Sequence, residues 1–401
     1  MPKPRIVVTG FAGLLPFGGV AWDYAQYARG FADLGCDVMY LEDTREWPTC
    51  QDPRLDSTFN VSHLSATMEY FGLADRWAYR DEVSGRCYGM SESAVREFCR
   101  SADILVNVSC SATLRDEYRS IPVRALIDTD PMFTQIQHAT GVAMCGGQGT
   151  MRDVIASHTH FFTLGENIGS PDCRIPTLGV HWYPTRPPVV LRFWPVTDPP
   201  AADCGAYTTV MNWSVFDELE FDGEHWGQKN AEFMRFLDLP HRVRQIRLGI
   251  AVSQPFNGIF PLQLVREAGW TVVDPDVCVP DAPAYQNFVK ASRGEFSVAK
   301  QTYVKANTGW FSCRSACYLA AGRPVIVQDT GWSRILPNGR GLLAFNDTDT
   351  AVDALRSVED DPYRHAKAAR AIAEEWFASE RVLDEMLTCM GSEAQRCVLS
   401  Y

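Results

Sequence analysis

Residues 309–331 read GWFSCRSACYLAAGRPVIVQDTG. Ala316, Leu319 and Ala320 fall at helical spacing and make a slim apolar face. Gly322 supplies a helix stop, and Pro324 opens an apolar run that predicts a buried strand. The strand leads into a turn of Asp329, Thr330 and Gly331. Ser312, Arg314 and Ser315 fall in the first helical turn, where a positive charge opposes the helix dipole. Free N–H groups, two hydroxyls and a guanidinium at one helix end suit an anion, and a diphosphate fits. On these residues alone a serine N-cap with a solvent-facing Arg314 reads equally well.

Working outward, the same segment closes a series of strand and helix patterns. Strands are predicted at YTTVMNW (207–213), IRLGIAV (246–252), TVVD (271–274), EFSVA (295–299), PVIVQD (324–329) and LLAF (342–345). Helical patterns fit 228–238, 258–268, 281–292 and 311–321, and 348–390 is mostly helical. The first half starts a second series. RIVVT (5–9), a glycine-rich turn, a helical pattern from Val20 to Leu34 and DVMYLED (37–43) make the beginning of a parallel βαβ unit. ILVNVS (104–109), ALID (125–128) and FFTLG (161–165) continue it, with helices at 91–100 and 112–119. Between the series, Ile175 to Pro200 is rich in proline, which breaks ladders and helices, so it reads as a linker or stiff crossover. The expected fold class is therefore α/β, with two Rossmann-like domains whose parallel sheets face across a cleft. Ligands of such sheets sit outside the carboxyl ends of the strands.

Bulk properties agree. A chain of 401 residues exceeds what one core fills. Its formal charge of −12, with no clustered Lys/Arg stripe, argues against a nucleic-acid surface. There is no long apolar span and no leader pattern, so a cytoplasmic protein is expected. The thirteen cysteines are irregularly spaced, Cys313/Cys317 being the closest pair and Cys36/Cys50 lying further apart, and read as reduced thiols. No histidine pair has the spacing of a metal site.

The 309–331 segment resembles the nucleotide-binding stretch in the C-terminal domain of GT-B-fold glycosyltransferases of the group 1 (family 4-like) type. The matching residues are Ala320, Gly322, Pro324, Val325 and Ile326, then Asp329, Thr330 and Gly331, and the likeness runs through GLLAF (341–345) and the helical tail. The resemblance implies an acceptor-binding domain over 1–180, a linker over 181–204, a nucleotide-sugar domain over 205–375 and a helix over 376–401 that packs back on the first domain. It implies a donor substrate, a UDP-, TDP- or GDP-sugar, with no tightly bound cofactor and no metal. Ser312, Arg314 and Ser315 would hold the diphosphate, and Asp329, Thr330 and Gly331 would line the sugar. Lys229 is the candidate for a further basic contact, or a surface lysine. Trp213 walls the nucleotide or fills the core. Ser297 and Lys300 lie where the fold lodges the base. In the first domain Gly18 and Gly19 would bring a glycine turn close to the donor, and Asp23, in the first helical turn, stands near where some inverting members keep their base. Asp130, close to Asp128 in LIDTDPMF, is the second candidate base, and His138, His158 and His160 follow. The paired glutamates of many retaining members are missing: Gly309 and Cys317 occupy those places. The acceptor, the stereochemistry and the oligomeric state stay open.

A rival reading sits at the N-terminus. TGFAGLLP (9–16) nearly matches the glycine motif of short-chain dehydrogenases, with Glu42 and Asp43 where a ribose-binding acid of an NAD(P) site would stand. Tyr363 and Lys367 have that family's proton-relay spacing. Pro16 in place of the last glycine, a turn too long, and Tyr363 lying in the tail argue against it. A sugar-nucleotide epimerase or a binding protein on the same fold is a further alternative.

Overall fold

The computed structural model describes residues 3–45, 56–82, 84–144, 149–200, 205–214, 218–253 and 260–398. Cys50, Val215 and Phe216 and the start of the helix expected at 258 lie outside them. The chain forms two units. One comprises Met1–Gly165, Pro176–Val190 and Ala378–Tyr401, the other Glu166–Ile175 and Leu191–Phe377.

In the first unit the β-branched runs become β1 (Arg5–Thr9), β2 (Asp37–Glu42), β3 (Trp77–Arg80), β4 (Cys87–Gly89), β5 (Ile104–Val108), β6 (Val123–Asp128), β7 (His160–Thr163) and β8 (Tyr183–Pro184). Their order is β4-β3-β2-β1-β5-β6-β7-β8, parallel except for the β3–β4 pair. Val7 stands opposite Met39 on one side and Leu105 on the other, and all three are fully buried. Burial on both faces is why these runs are apolar throughout rather than alternating. β8 lies inside the stretch expected as linker. Its edge position tolerates Pro184, which need not donate, while the Thr185 N–H reaches the Thr163 carbonyl at 2.9 Å.

The helix Gly18–Asp33 packs on this sheet, with Ala21, Trp22, Ala25, Ala28 and Phe31 buried. The last helix, Ser379–Val398, packs against it in the same unit. Gly30 allows the approach: a Cβ there would come 2.5 Å from Leu383 Cδ1 and 2.9 Å from Ser379 Cβ. Leu383, Met386 and Met390 are buried on that side.

The second unit holds β9 (Tyr207–Asn212), a hairpin of β10 (Leu219–Phe221) and β11 (Glu224–Trp226), then β12 (Leu248–Ser253), β13 (Thr271–Val273), β14 (Gly294–Ser297), β15 (Val325–Gln328) and β16 (Leu342–Phe345). The main sheet runs β13-β12-β9-β14-β15-β16, all parallel. Counted from its own first strand this order is 3-2-1-4-5-6, and the first unit repeats it through β3-β2-β1-β5-β6-β7. Both sheets are doubly wound, with switch points at β9/β14 and β1/β5. An aromatic core fills one face of the second sheet, with Phe296 and Phe345 stacked at 4.9 Å. The helix expected at 228–238 is shorter, Lys229–Phe233 followed by a 3-10 turn at Met234–Phe236. Among the described residues no helix is long and apolar enough to cross a membrane.

Candidate functional site

The helix Cys313–Ala320 follows Ser312, whose extended backbone makes it the N-cap without a side-chain cap bond. The first-turn N–H groups therefore keep no side-chain acceptor from the cap residue. Arg314 does not face solvent. Its Nε pairs with Glu295 on β14, its Nη1 donates to the Val210 carbonyl on β9 at 2.9 Å, and its Nη2 donates to Ser297 Oγ at 2.8 Å. The guanidinium thus clamps both strands at the switch point. Burial opposes its charge, but Glu295 beside it raises its pKa above the usual arginine value. Arg314, expected to hold the diphosphate, thus has one edge occupied by Glu295 while its other donors serve Val210 and Ser297.

Around this clamp the polar atoms are incompletely satisfied. Ser315 Oγ, Glu295 Oε2 and both amide atoms of Gln228 are buried without a hydrogen-bond partner. Lys229 is 9% exposed, and burial first, then Arg314 and Lys300, push its pKa well below the ordinary lysine value. Lys300 is half-buried with its Nζ 5.3 Å from the Tyr303 ring centroid. Three basic side chains from three elements thus gather near the buried Glu295 carboxylate. A cavity of about 10 Å³ beside them is lined by Ser297, Ser312, Arg314, Ser315, Gln328 and Thr330, among others. That is room for one water or one ligand oxygen, so a larger ligand reaches in only with an edge.

The loop after β15 is held by its own residues. Asp329 accepts from the Gly331 N–H at 2.8 Å and from Ser333, so its carboxylate is committed to the turn rather than presented to a sugar. Thr330 is buried and donates to the Trp310 carbonyl at 2.7 Å. Gly331 has φ of 93°, and a Cβ there would collide with Asn307 Oδ1 and Asn167 Nδ2. Asn167 belongs to this unit, its Nδ2 donating to the carbonyls of Asn307 and Gly331 at 3.1 and 3.2 Å. Gly331→Ala is therefore expected to cost about 2–3 kcal/mol, read as a lowered urea midpoint. A midpoint that does not move would show that the loop tolerates another torsion. The missing glutamates have a packing reason. Gly309 has φ of 75° with Asn167 N 2.8 Å from a Cβ position, and Cys317 is 1% exposed.

Other expected residues are relocated. Trp213 packs edge-on against Phe233 and Phe260 and is buried in the core. Ser297 is engaged by Arg314 and by Thr209 Oγ1 at 3.2 Å. Gly18 and Gly19 are the first two residues of their helix and have ordinary negative torsions, not a glycine turn ahead of it. Because the helix starts at Gly18, Asp23 lies in its second turn, half-buried, and not beside the free N–H groups. Asp130 is half-buried, and its N–H donates to Asp128 Oδ1 at 3.1 Å. Asp128 itself is buried and accepts from Thr134, Gln135 and Thr163. His158 is a satisfied core residue. Its Nδ1 reaches the Val154 carbonyl at 2.7 Å, Asn107 Nδ2 meets its Nε2 at 3.1 Å, and burial pushes it down to about 4. A cavity of about 160 Å³ in the first unit is lined by Arg45, Thr113, Arg119, Asp153, Ser157 and His158, among others.

The glycine-rich loop after β1 has a different occupant from a dinucleotide. Glu42 accepts from the Gly13 N–H at 2.6 Å, the Leu14 N–H at 2.9 Å and Tyr40 Oη at 2.8 Å. The Ala12 N–H donates to Tyr40 Oη at 3.1 Å. The amides that would cradle a pyrophosphate are consumed inside the protein. Tyr363 is 65% exposed on the helix Pro362–Ile372 of the other unit. Neither half of a short-chain-dehydrogenase site is assembled. Among the described residues no group of three or more His, Cys, Asp or Glu is arranged to hold a metal.

No protein-family model and no curated protein matches the sequence. Solved structures do match it. An alpha-glucosyltransferase in complex with UDP-glucose and DNA containing an abasic site has a TM-score of 0.59 at 10% identity, over 97% of this chain and 100% of that one. Anabaena HepE in complex with UDP and glucose gives 0.55 at 8% identity, over 97% and 100%. Sucrose-phosphate synthase from Thermosynechococcus elongatus gives 0.51 at 12% identity, over 100% of both chains. The chain has the GT-B fold. Within GT-B the two doubly wound sheets and the C-terminal helix on the first unit are accounted for together. The DNA in the first match belongs to that protein's own complex.

Proposed function

We propose that the chain is a glycosyltransferase that moves a sugar from a nucleoside diphosphate sugar to an acceptor hydroxyl. The observation that carries this reading is the convergence of Lys229, Lys300 and Arg314 with the N-terminus of the helix Cys313–Ala320 at the β9/β14 switch point. A diphosphate is the chemical group that such a set neutralises. In the transfer the bond from the sugar's anomeric carbon to the diphosphate oxygen breaks, and the acceptor oxygen bonds to that carbon. The nucleoside diphosphate leaves with the electron pair, and the hydroxyl proton passes to a base. Fixed cations and N–H dipoles favour the leaving group as its charge grows. Asp23 and Asp130 are the carboxylates of the first unit proposed for the base. Asp329, Thr330 and Gly331 shape the sugar end through the backbone of their turn.

UDP is the first donor nucleotide to test, because HepE was solved with UDP and glucose and the alpha-glucosyltransferase with UDP-glucose and with UDP. Calorimetry is expected to detect UDP and UDP-glucose binding in the micromolar range, about −8 kcal/mol, and no binding of NAD. Acceptor-dependent release of UDP from UDP-glucose then identifies transfer. If UDP, TDP and GDP all give no heat at millimolar concentration, the donor site is not there.

A further inference from the structure

Lys229 is the unusual member of the cation cluster. Among the described residues its ammonium has no hydrogen-bond or ion-pair partner, although the residue is 9% exposed. The groups that face it come from three directions: Arg314 and Cys313 from the helix Cys313–Ala320, Lys300 from the loop after β14, and Glu295 from β14 itself. On its own helix Glu232 is turned to Arg235 and to Gln328 Nε2. Glu295, the carboxylate that favours the charged form of Lys229, already pairs with Arg314. A charged Lys229 would be a third cation sharing that single acid in a desolvated place, which is the arrangement that favours a free amine. A diphosphate entering the same place brings the missing negative charge and reverses the balance.

We propose that Lys229 rests as an uncharged amine in the ligand-free protein and takes up a proton from solvent when a diphosphate enters, so that nucleotide binding is proton-coupled. The inference rests on reading this cluster as the donor site. The step balances simply: amine, one proton and the diphosphate anion become an ammonium–diphosphate pair, with no bond to carbon made or broken. Storing Lys229 uncharged spares the empty site a repulsive cation and makes the full charge available only when ligand is bound.

The test is calorimetric titration with UDP at about pH 8, where its phosphates are fully ionised, in HEPES and in Tris. The measured enthalpy is expected to vary with the buffer's own ionisation enthalpy, giving uptake of about one proton per UDP. Affinity for UDP is expected to fall by up to about tenfold per pH unit above that point. Lys229→Arg carries a permanent charge and is expected to bind UDP with no buffer dependence. Intact UDP binding with no buffer dependence and a flat pH profile in the unaltered protein overturns the proposal while leaving the donor site in place. A buffer dependence that persists in Lys229→Arg also overturns it, since the proton then belongs elsewhere. Absence of binding by UDP, TDP and GDP alike, in either buffer, overturns the donor-site reading itself.

Discussion

Arg314→Ala is expected to destabilise the second unit by about 3–5 kcal/mol, the cost of leaving a buried charge without its partner. Glu295 has a side chain with 0% exposure, and Arg314 is its ion-pair partner. Removing the guanidinium strands that carboxylate, frees the Val210 carbonyl and leaves Ser297 Oγ without its 2.8 Å donor, all at the strand pair where the sheet reverses direction. Removing both charges is a different matter. In Glu295→Gln combined with Arg314→Met, desolvation of the two ions is relieved together, and most of the stability is expected to return. Urea unfolding measures this as a midpoint shift at constant slope. A single variant within about 0.5 kcal/mol of the parent would show that the clamp carries no weight. The same pair separates structure from binding. If the double variant folds and has lost UDP affinity by about 10-fold or more, the guanidinium also contributes to the anion site.

The arrangement of Arg314 marks the boundary of what the chain reveals before it is folded. The unfavourable placement of an arginine in a first helical turn was legible, and so was its need for negative charge. Its partner was not, because Glu295 lies nineteen residues earlier on another strand and becomes a neighbour only through the sheet. An acid inside the apolar run EFSVA was the one local signal of a buried ion pair. The strands were legible because burial on both faces makes them continuous apolar runs, and five residues from Arg5 to Thr9 read the same in sequence and in space. The hairpin β10–β11 had a signal that the strand pattern alone passes over. Asp222 and Gly223 both have positive φ, 55° and 71°, as a two-residue turn requires, and Asp-Gly is the pair that adopts it. The helix Thr58–Tyr70 was hidden for another reason: its apolar residues do not gather on one face, Leu64 and Met68 being buried while Phe59 is 54% exposed. Asn167 was beyond local reasoning altogether, since its partners Asn307 and Gly331 are 140 and 164 residues away.

Glu42→Ala is expected to destabilise the first unit by about 3 kcal/mol or more, because it orphans the Gly13 and Leu14 N–H groups and the Tyr40 hydroxyl together, at about 1–3 kcal/mol for each buried donor. The carboxyl also gives this unit a characteristic pH response. Burial pushes Glu42 up to about 7 against the hydrogen-bond donors that favour its ionised form. The folded chain therefore holds a proton that the unfolded chain releases near 4.5. Stability from this group is complete below that lower value and is lost as pH rises through 7, by about 3 kcal/mol in all. Urea midpoints of the parent are expected to decline from about pH 5 to pH 8, and Glu42→Gln, which does not titrate, is expected to lack that component. The same residue decides between two kinds of nucleotide site. A dinucleotide fold leaves the amides of its first glycine loop free for a pyrophosphate, whereas here a buried acid from the next strand already accepts two of them. If Glu42→Ala unfolds at the parental midpoint and NAD raises that midpoint in the parent, the loop is open after all, and the nucleotide belongs in the first unit rather than at the helix that begins near Ser312.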